Sequence, residues 1–245
     1  MNRKVLAEYR YDLKPVEKGY NRRTLYINVG SKEIKSKPVT DMMIDKFVGG
    51  KGFDLYLMWH GVKDETKWND PENEICISFG PLCGNTSYPG SGKSIVTTIS
   101  PLTGIPVDCN VGGHFGPYAK FSGWDAIELQ GKADEDVIVY IDGDKGLVQI
   151  MTAPDKEINS HILAERLVHE FADSEDKHQM VSVVSTGEAA EHVLITCLNF
   201  SFWDKRRKVA RLKQAGRGGT GTVFRDKGIK ALVVKYSGLN VDTNN

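Results

Sequence analysis

The stretch "QAGRGGTGTVF", residues 214–224, decides the fold of this chain. Gly216, Gly218 and Gly221 match the G-x-G-x-x-G fingerprint of a dinucleotide-binding turn. That reading requires a strand before the loop, a helix after it, and an acidic residue about twenty positions on to meet a ribose. Upstream stands "DKRRKVARLKQA", basic and without strand alternation. Downstream, "TVFRDKGIKALVV" offers no long amphipathic helix, and the one acid at the right distance, Asp242, lies in a polar tail. A doubly wound α/β fold is therefore set aside. The loop is read instead as bare backbone that a ligand can approach closely, with amide N–H groups free to meet anions.

Working outward, the rest of the chain reads as strands in hairpins and pairs with few helices. "RTLYINVGSKEIKSKPV" (23–39) alternates before a Gly-Ser turn, and "DVIVYIDGDKGLVQIM" (136–151) is a hairpin with Asp-Gly at its turn. "EICISFGPLCG" and "SIVTTISPLTG" read as buried strands, as do "MVSVVSTG" and "IKALVVKY". Asp41 is the expected cap of a short helix, "VGGKGFDLYLMWHGV" (48–62) a glycine turn feeding a second, and Asn159 or Ser160 the cap of a third through Phe171. Residues 110–133 hold a glycine turn, a short helix and a strand. This order predicts an α+β fold with mixed or antiparallel sheets, not alternating βαβ units. The likeness of "VGGKGF" to "VGGHFG" hints at an internal duplication. The expected organisation is an arm over 1–22, one domain over 23–237 and a polar tail over 238–245.

Composition narrows the function. In 245 residues, Lys and Arg balance Asp and Glu to a formal charge of zero, so no global field favours nucleic acid or an anionic membrane. No apolar run is long enough for a bilayer, and the N-terminus has no secretory apolar stretch, so cytoplasm is the expected location. Cys76, Cys83, Cys109 and Cys197 show no C-x-x-C spacing and read as buried thiols. "SYPGSGKS" (87–94) lacks the first glycine of a phosphate-binding P-loop, with Ser87 in its place. The basic run 204–213 reads as a solvated helix face, as a nucleic-acid contact that has no aromatic interleaving to support it, or as cations facing a phosphate-bearing cofactor or an acidic partner. Three segments, "GSGKS", "CNVGGHFG" and "KQAGRGGTG", combine glycine backbone with polar or cationic side chains; they are tight turns or, together, the lining of a large anionic ligand.

In order and near spacing, "FVGGKGFDLYLM", "SFGPLCGNTSYPGSGKSIVTTISPLTG", "NVGGHFGPYAKFSGWDAIELQGKA" and "AGRGGTGTVFRDKGIKALVV" resemble the N-terminal domain of aldehyde ferredoxin oxidoreductases. The resemblance covers residues 20–237 and implies a domain of two similar halves. In that family the domain is the base for a tungsten or molybdenum bis-pyranopterin whose phosphates meet at Mg. It implies cofactor-binding roles for Lys93, Asn110, Gly112, Gly113, Lys213, Gln214, Gly216, Arg217, Gly218 and Gly219. The backbone carbonyls of Asn110 and Gln214 would face the Mg, a hard cation that takes oxygen ligands. Lys93 and Lys213 stand where the family has arginines, keeping the charge without the planar fork. No catalytic residue is implied here. The [4Fe-4S] cluster is expected on missing domains or on a large catalytic partner chain, with a ferredoxin-like subunit as a further partner. The completed enzyme would interconvert aldehyde and acid. The alternative is an assembly or structural module that keeps the fold without the cofactor.

Overall fold

The computed structural model describes residues 3–154 and 159–239. Its first sheet holds β2 (Arg23–Asn28), β3 (Glu33–Pro38), β4 (Ile75–Phe79), β5 (Ser94–Ile99), β6 (Pro106–Val111) and β7 (Ala126–Gln130). Its second holds β1 (Val5–Arg10), β8 (Val137–Asp142), β9 (Leu147–Thr152), β10 (Val181–Ser185), β11 (Leu198–Asp204), β12 (Val209–Ala215) and β13 (Ile229–Lys235). The helices are α1 (Asp41–Phe47), α2 (Lys51–Gly61), α3 (Phe115–Phe121), α4 (Ser160–Phe171) and α5 (Thr220–Asp226).

The strand orders are β3-β2-β7-β4-β5-β6 and β1-β9-β8-β13-β10-β11-β12. With β1 removed, the second repeats the first. Each half begins with a hairpin, β2–β3 or β8–β9. Each ends with a strand lying parallel to the hairpin's first strand, β7 on β2 and β13 on β8. Between them runs an antiparallel set, β4-β5-β6 or β10-β11-β12. The helix before each closing strand, α3 or α5, also corresponds. The chain is thus an α+β domain of two similar halves. The duplicated glycine turns are those leading into α3 and α5, "VGGHFG" and "AGRGGTG". "VGGKGF" opens α2 and has no such partner.

Burial on both faces explains why β8 and β13 read as continuous apolar runs. Val137, Val139 and Ile141 enter the core between the sheets, where they meet Leu25, Ile27 and Ile77 of the first sheet. Ile138 and Tyr140 turn to the other face, under Leu163 and Leu167 of α4. Alternation along β13 feeds both layers, and the register shift between Ile229 and Ala231 puts Ile229 as well as Leu232 and Val234 in the inter-sheet core. α1 and α2 cover the outer face of the first sheet through Met43, Phe53, Leu57 and Met58.

Three local readings change. Thr40, not Asp41, caps α1, its Oγ1 accepting from the Met43 amide at 3.2 Å; the hydroxyl must stand one residue before the helix to reach that amide. Val5–Arg10 of the expected arm is a strand, paired antiparallel with β9 at the sheet edge. The basic run is a hairpin turn and strand, not a helix face. Asp204 accepts from the Arg207 amide and guanidinium, Lys208 takes a positive φ of 54°, and β12 pairs residue by residue with β11. Asn159 caps α4, its side chain accepting from the His161 amide. Residues 240–245, most of the expected tail and including Asp242, lie outside the described residues.

Candidate functional site: a duplicated glycine seam

The site forms where the two halves expose equivalent edges. β6 and β12 are the outermost strands of their sheets at corresponding positions. Each runs into a glycine turn and then a short helix. The turn is three residues in the first half, Gly112 to His114, and four in the second, Gly216 to Gly219. Asn110 and Gln214 are the penultimate residues of β6 and β12, and therefore equivalent.

The three segments singled out in the sequence meet here. The Gly113 carbonyl lies 3.0 Å from where a Cβ of Gly92 would stand, and a Cβ on Gly113 would lie 3.9 Å from Lys213 Cγ. A Cβ on Gly112 would lie 3.8 Å from Lys93 Nζ. Across the seam, Cys109 Sγ accepts from the Arg217 amide at 3.2 Å and lies 3.1 Å from its carbonyl. A cleft of about 420 Å³ opens between Asp108, Cys109, Asn110, Gly216 and Arg217. Lys93, Asn110, Lys213, Gln214, Gly216 and Arg217 are all exposed.

The glycines fall into two kinds. Gly218 and Gly219 have φ of 68° and 70°, and a Cβ on Gly218 would stand 2.5 Å from Val107 Cγ1. Gly113 has φ 112°. Backbone conformation or packing explains these three. Gly112 and Gly216 have neither reason. Neither carries a positive φ, and an added Cβ would meet nothing closer than 3.8 Å and 4.0 Å. They leave bare backbone with room for a side chain at equivalent points of the two halves.

Some participants left no mark in the sequence. Phe202 pairs with Arg211 on the neighbouring strand, and both Arg211 and Lys213 lie over its ring, Lys213 Nζ at 5.6 Å from the centroid. His114 packs edge-on against the same ring at 5.8 Å, and burial lowers its pKa. Cys83, expected as a packing thiol, is buried under Lys93, its Sγ 3.8 Å from the Lys93 carbonyl; burial pushes its pKa up to about 12. Burial also raises the Cys109 pKa. Both thiols therefore stay protonated near neutrality; both belong to the first half, and Cys109 ties it to the second-half loop at Arg217.

The glycine loop does follow a strand and precede a helix, contrary to the sequence reading. The dinucleotide fold is still excluded. β12 is antiparallel to β11, and β13 lies three strands away in the sheet order, so no parallel βαβ unit surrounds the loop. Among the described residues, no three His, Cys, Asp or Glu side chains are grouped to hold a metal, and no helix is long and apolar enough to cross a membrane.

Fold and seam together define a class: a duplicated two-sheet α+β domain that presents paired glycine turns, rimmed by lysine and arginine, along the line where its halves meet. The chain belongs to the aldehyde ferredoxin oxidoreductase family, whose N-terminal domain model matches residues 24–236. It is 35% identical over 221 residues to the tungsten-containing aldehyde ferredoxin oxidoreductase of Pyrococcus horikoshii, a match covering 89% of this chain and 33% of that protein. It is 28% identical to the WOR-like subunit of an aliphatic sulfonate oxidoreductase from Pyrococcus furiosus, over 89% of this chain and 35% of that one. Among solved structures it resembles a chain of the BamBC active-site complex of benzoyl coenzyme A reductase, in complex with 1,5-dienoyl-CoA. There the TM-score is 0.76 and the identity 27%, over 89% of this chain and 31% of that one. The chain spans about a third of the length of the relatives it matches.

Proposed function

We propose that this chain supplies one face of the site for a tungsten or molybdenum bis-pyranopterin in an oxidoreductase completed by further domains or a second chain. The observation that carries the reading is the pair Gly112 and Gly216. Each is a glycine that neither backbone conformation nor internal packing demands, and the two are related by the duplication. A ligand with two similar halves, meeting the protein along backbone, accounts for both at once. The relatives named for tungsten support that ligand class.

In this reading Lys93, Lys213 and Arg217 offset phosphate charge, and Gly112, Gly113 and Gly216–Gly219 admit the pterins to the backbone. The carbonyls of Asn110 and Gln214 face Mg. The cofactor, when bound, supplies two-electron redox chemistry, and this chain contributes position and electrostatics. The reaction is the interconversion of an aldehyde or other oxo substrate with its oxidised form, coupled to ferredoxin-type electron transfer. The iron–sulfur cluster, and any ferredoxin-like subunit, belong to the remaining domains or to a partner.

The test is the metal content of the assembly purified from its own host. Replacing Gly112 and Gly216 together by leucine meets only side-chain atoms, of Lys93 and Gln214, at ordinary contact distance at Cβ, so the fold and its circular dichroism should be unchanged. Tungsten or molybdenum per chain should fall by about tenfold or more, as expected for a loss of over 1.4 kcal/mol of binding. Unchanged metal content would exclude direct contact at these glycines. A second reading, a module that keeps the fold without cofactor, is favoured by lysine at both 93 and 213, where a planar fork is lost. A wild-type assembly free of tungsten and molybdenum would support it, and unchanged metal content in the Lys93→Ala, Lys213→Ala double variant would exclude direct cofactor binding by these lysines.

A further inference from the structure

We infer that the apolar flank beside the glycine seam is the seat of the polypeptide that carries the remaining two thirds of the family fold. The inference rests on the proposed function for its partner, and on the following geometry for its place.

Large apolar side chains are left exposed unevenly. Of the fourteen with substantial exposure among the described residues, Leu55, Trp59 and Ile105 wall one groove, Leu102 follows Pro101 in the chain, and residues 193–195 adjoin Pro101 where it and the Leu194 carbonyl both meet Gly219. Trp59 is 80% exposed, Ile195 66% and Ile105 62%. A groove of about 690 Å³ runs between α2 and the turn before β6, walled by Leu55, Met58, Trp59, Ile99, Ile105 and Pro106. Its rim carries Lys63 and Asp64. An exposed tryptophan beside an open aliphatic groove is the composition of a protein interface core, with a polar rim.

The flank is built into the seam. Pro101 and the Leu194 carbonyl are the atoms that forbid a side chain at Gly219, and Val107, one residue past the groove, forbids one at Gly218. The 193–196 segment is tied to α5 by the Gly221 amide donating to the Thr196 carbonyl at 3.0 Å and by Thr222 Oγ1 donating to the Val193 carbonyl at 2.8 Å. Whatever covers these apolar residues therefore borders the glycine turn directly.

The occupant follows from length. Each relative, and the BamBC chain, carries about two thirds of its polypeptide beyond the part matched here. That polypeptide must contact this domain to close the site from the other side. The flank offers the largely apolar surface that permanent contacts use. A second copy of this chain would cover the groove but add nothing to the seam.

The test uses the assembly purified from its host under native conditions. Hydroxyl-radical footprinting of Trp59 and Ile105 should show both shielded, and mass spectrometry should find the remaining family domains in the same assembly. The Trp59→Ala, Ile105→Asp double variant should weaken that association by about 30-fold or more, the loss expected when an interface hot spot is truncated. Leu13→Asp, at an exposed apolar position off this flank, should leave association unchanged. The inference is overturned if Trp59 is labelled as fully in the assembly as in the unfolded chain. It is equally overturned if the shielding polypeptide is a second copy of this chain. Shielding by the family domains without tungsten or molybdenum would sink the cofactor reading and leave this one standing. Bound metal with a fully labelled Trp59 would do the reverse.

Discussion

The two halves share a topology and differ in how they cover it. In the second half, α4 lies on its sheet through an apolar layer of Leu163, Ala164, Leu167 and Val168 against Ile138, Val181 and Val183. In the first, α2 buries a carboxyl group. Asp54 is fully buried, with Oδ2 accepting from Thr97 Oγ1 at 2.8 Å and Oδ1 without a partner. Nearby, Glu74 has no hydrogen-bond partner for either oxygen, while Glu128 accepts from Thr24 at 2.5 Å and pairs with Lys37 at 2.5 Å. Burial raises both Asp54 and Glu74 to about 8, with the neighbouring Glu128 charge adding to the shift at Glu74. One layout thus admits two chemistries beneath its helices. The strand order is set by backbone pairing, which does not depend on what the outer faces carry.

The glycine turns give the largest contrast to break. Gly219→Ala places a methyl against the Leu194 carbonyl at φ 70°, and should cost about 3 kcal/mol in urea unfolding. Gly112→Ala and Gly216→Ala should change stability by no more than about 0.5 kcal/mol, because a Cβ there meets nothing closer than ordinary contact distance. If all three cost the same, the division into structural and open glycines is wrong.

The buried carboxyls come next. The folded-state pKa of Asp54 lies above the ordinary carboxylate value of about 4. Its contribution is therefore fully present below about pH 4 and is lost as pH rises through about 8. Asp54→Asn should remove that slope, gaining about 4 kcal/mol on the native protein between about pH 5 and about pH 9. Parallel pH profiles for the two proteins would show that Asp54 is not held protonated.

The smallest effect concerns the paired thiols. Cys109→Ala removes the acceptor for the Arg217 amide, and should cost about 1 kcal/mol and speed exchange of that amide by about tenfold. Cys83→Ala, whose contact with the Lys93 carbonyl is long at 3.8 Å, should leave exchange at the first-half loop nearly unchanged. Equal effects would mean the two loops are held alike.

Much of this was legible from residues. The hairpins announced themselves through alternation and turn chemistry, as in 136–151, and α4 through Leu163, Leu167 and Phe171. β12 did not. One face carries Ala210 and Leu212 and then Gln214, the other Arg211 and Lys213 before the small Ala215, so no apolar alternation marks it. Strand β6 was missed for a similar reason: it opens on Pro106 and carries Asp108 and Asn110 on its exposed side. Both are edge strands, where one row of backbone is unpaired and the side-chain pattern is weakest.

The sequence by itself determined the α+β class, the location of the buried strands and the three glycine-bearing segments. Each is a local matter of periodicity and turn chemistry. Only the tertiary structure decided which glycine turns are duplicates, which glycines have room for a side chain, and that Cys109 meets Arg217 across 108 positions of chain. Those are facts of apposition. Whether a glycine is required by its own backbone or leaves room for another molecule depends on which atoms stand opposite it, and the fold alone brings those atoms together.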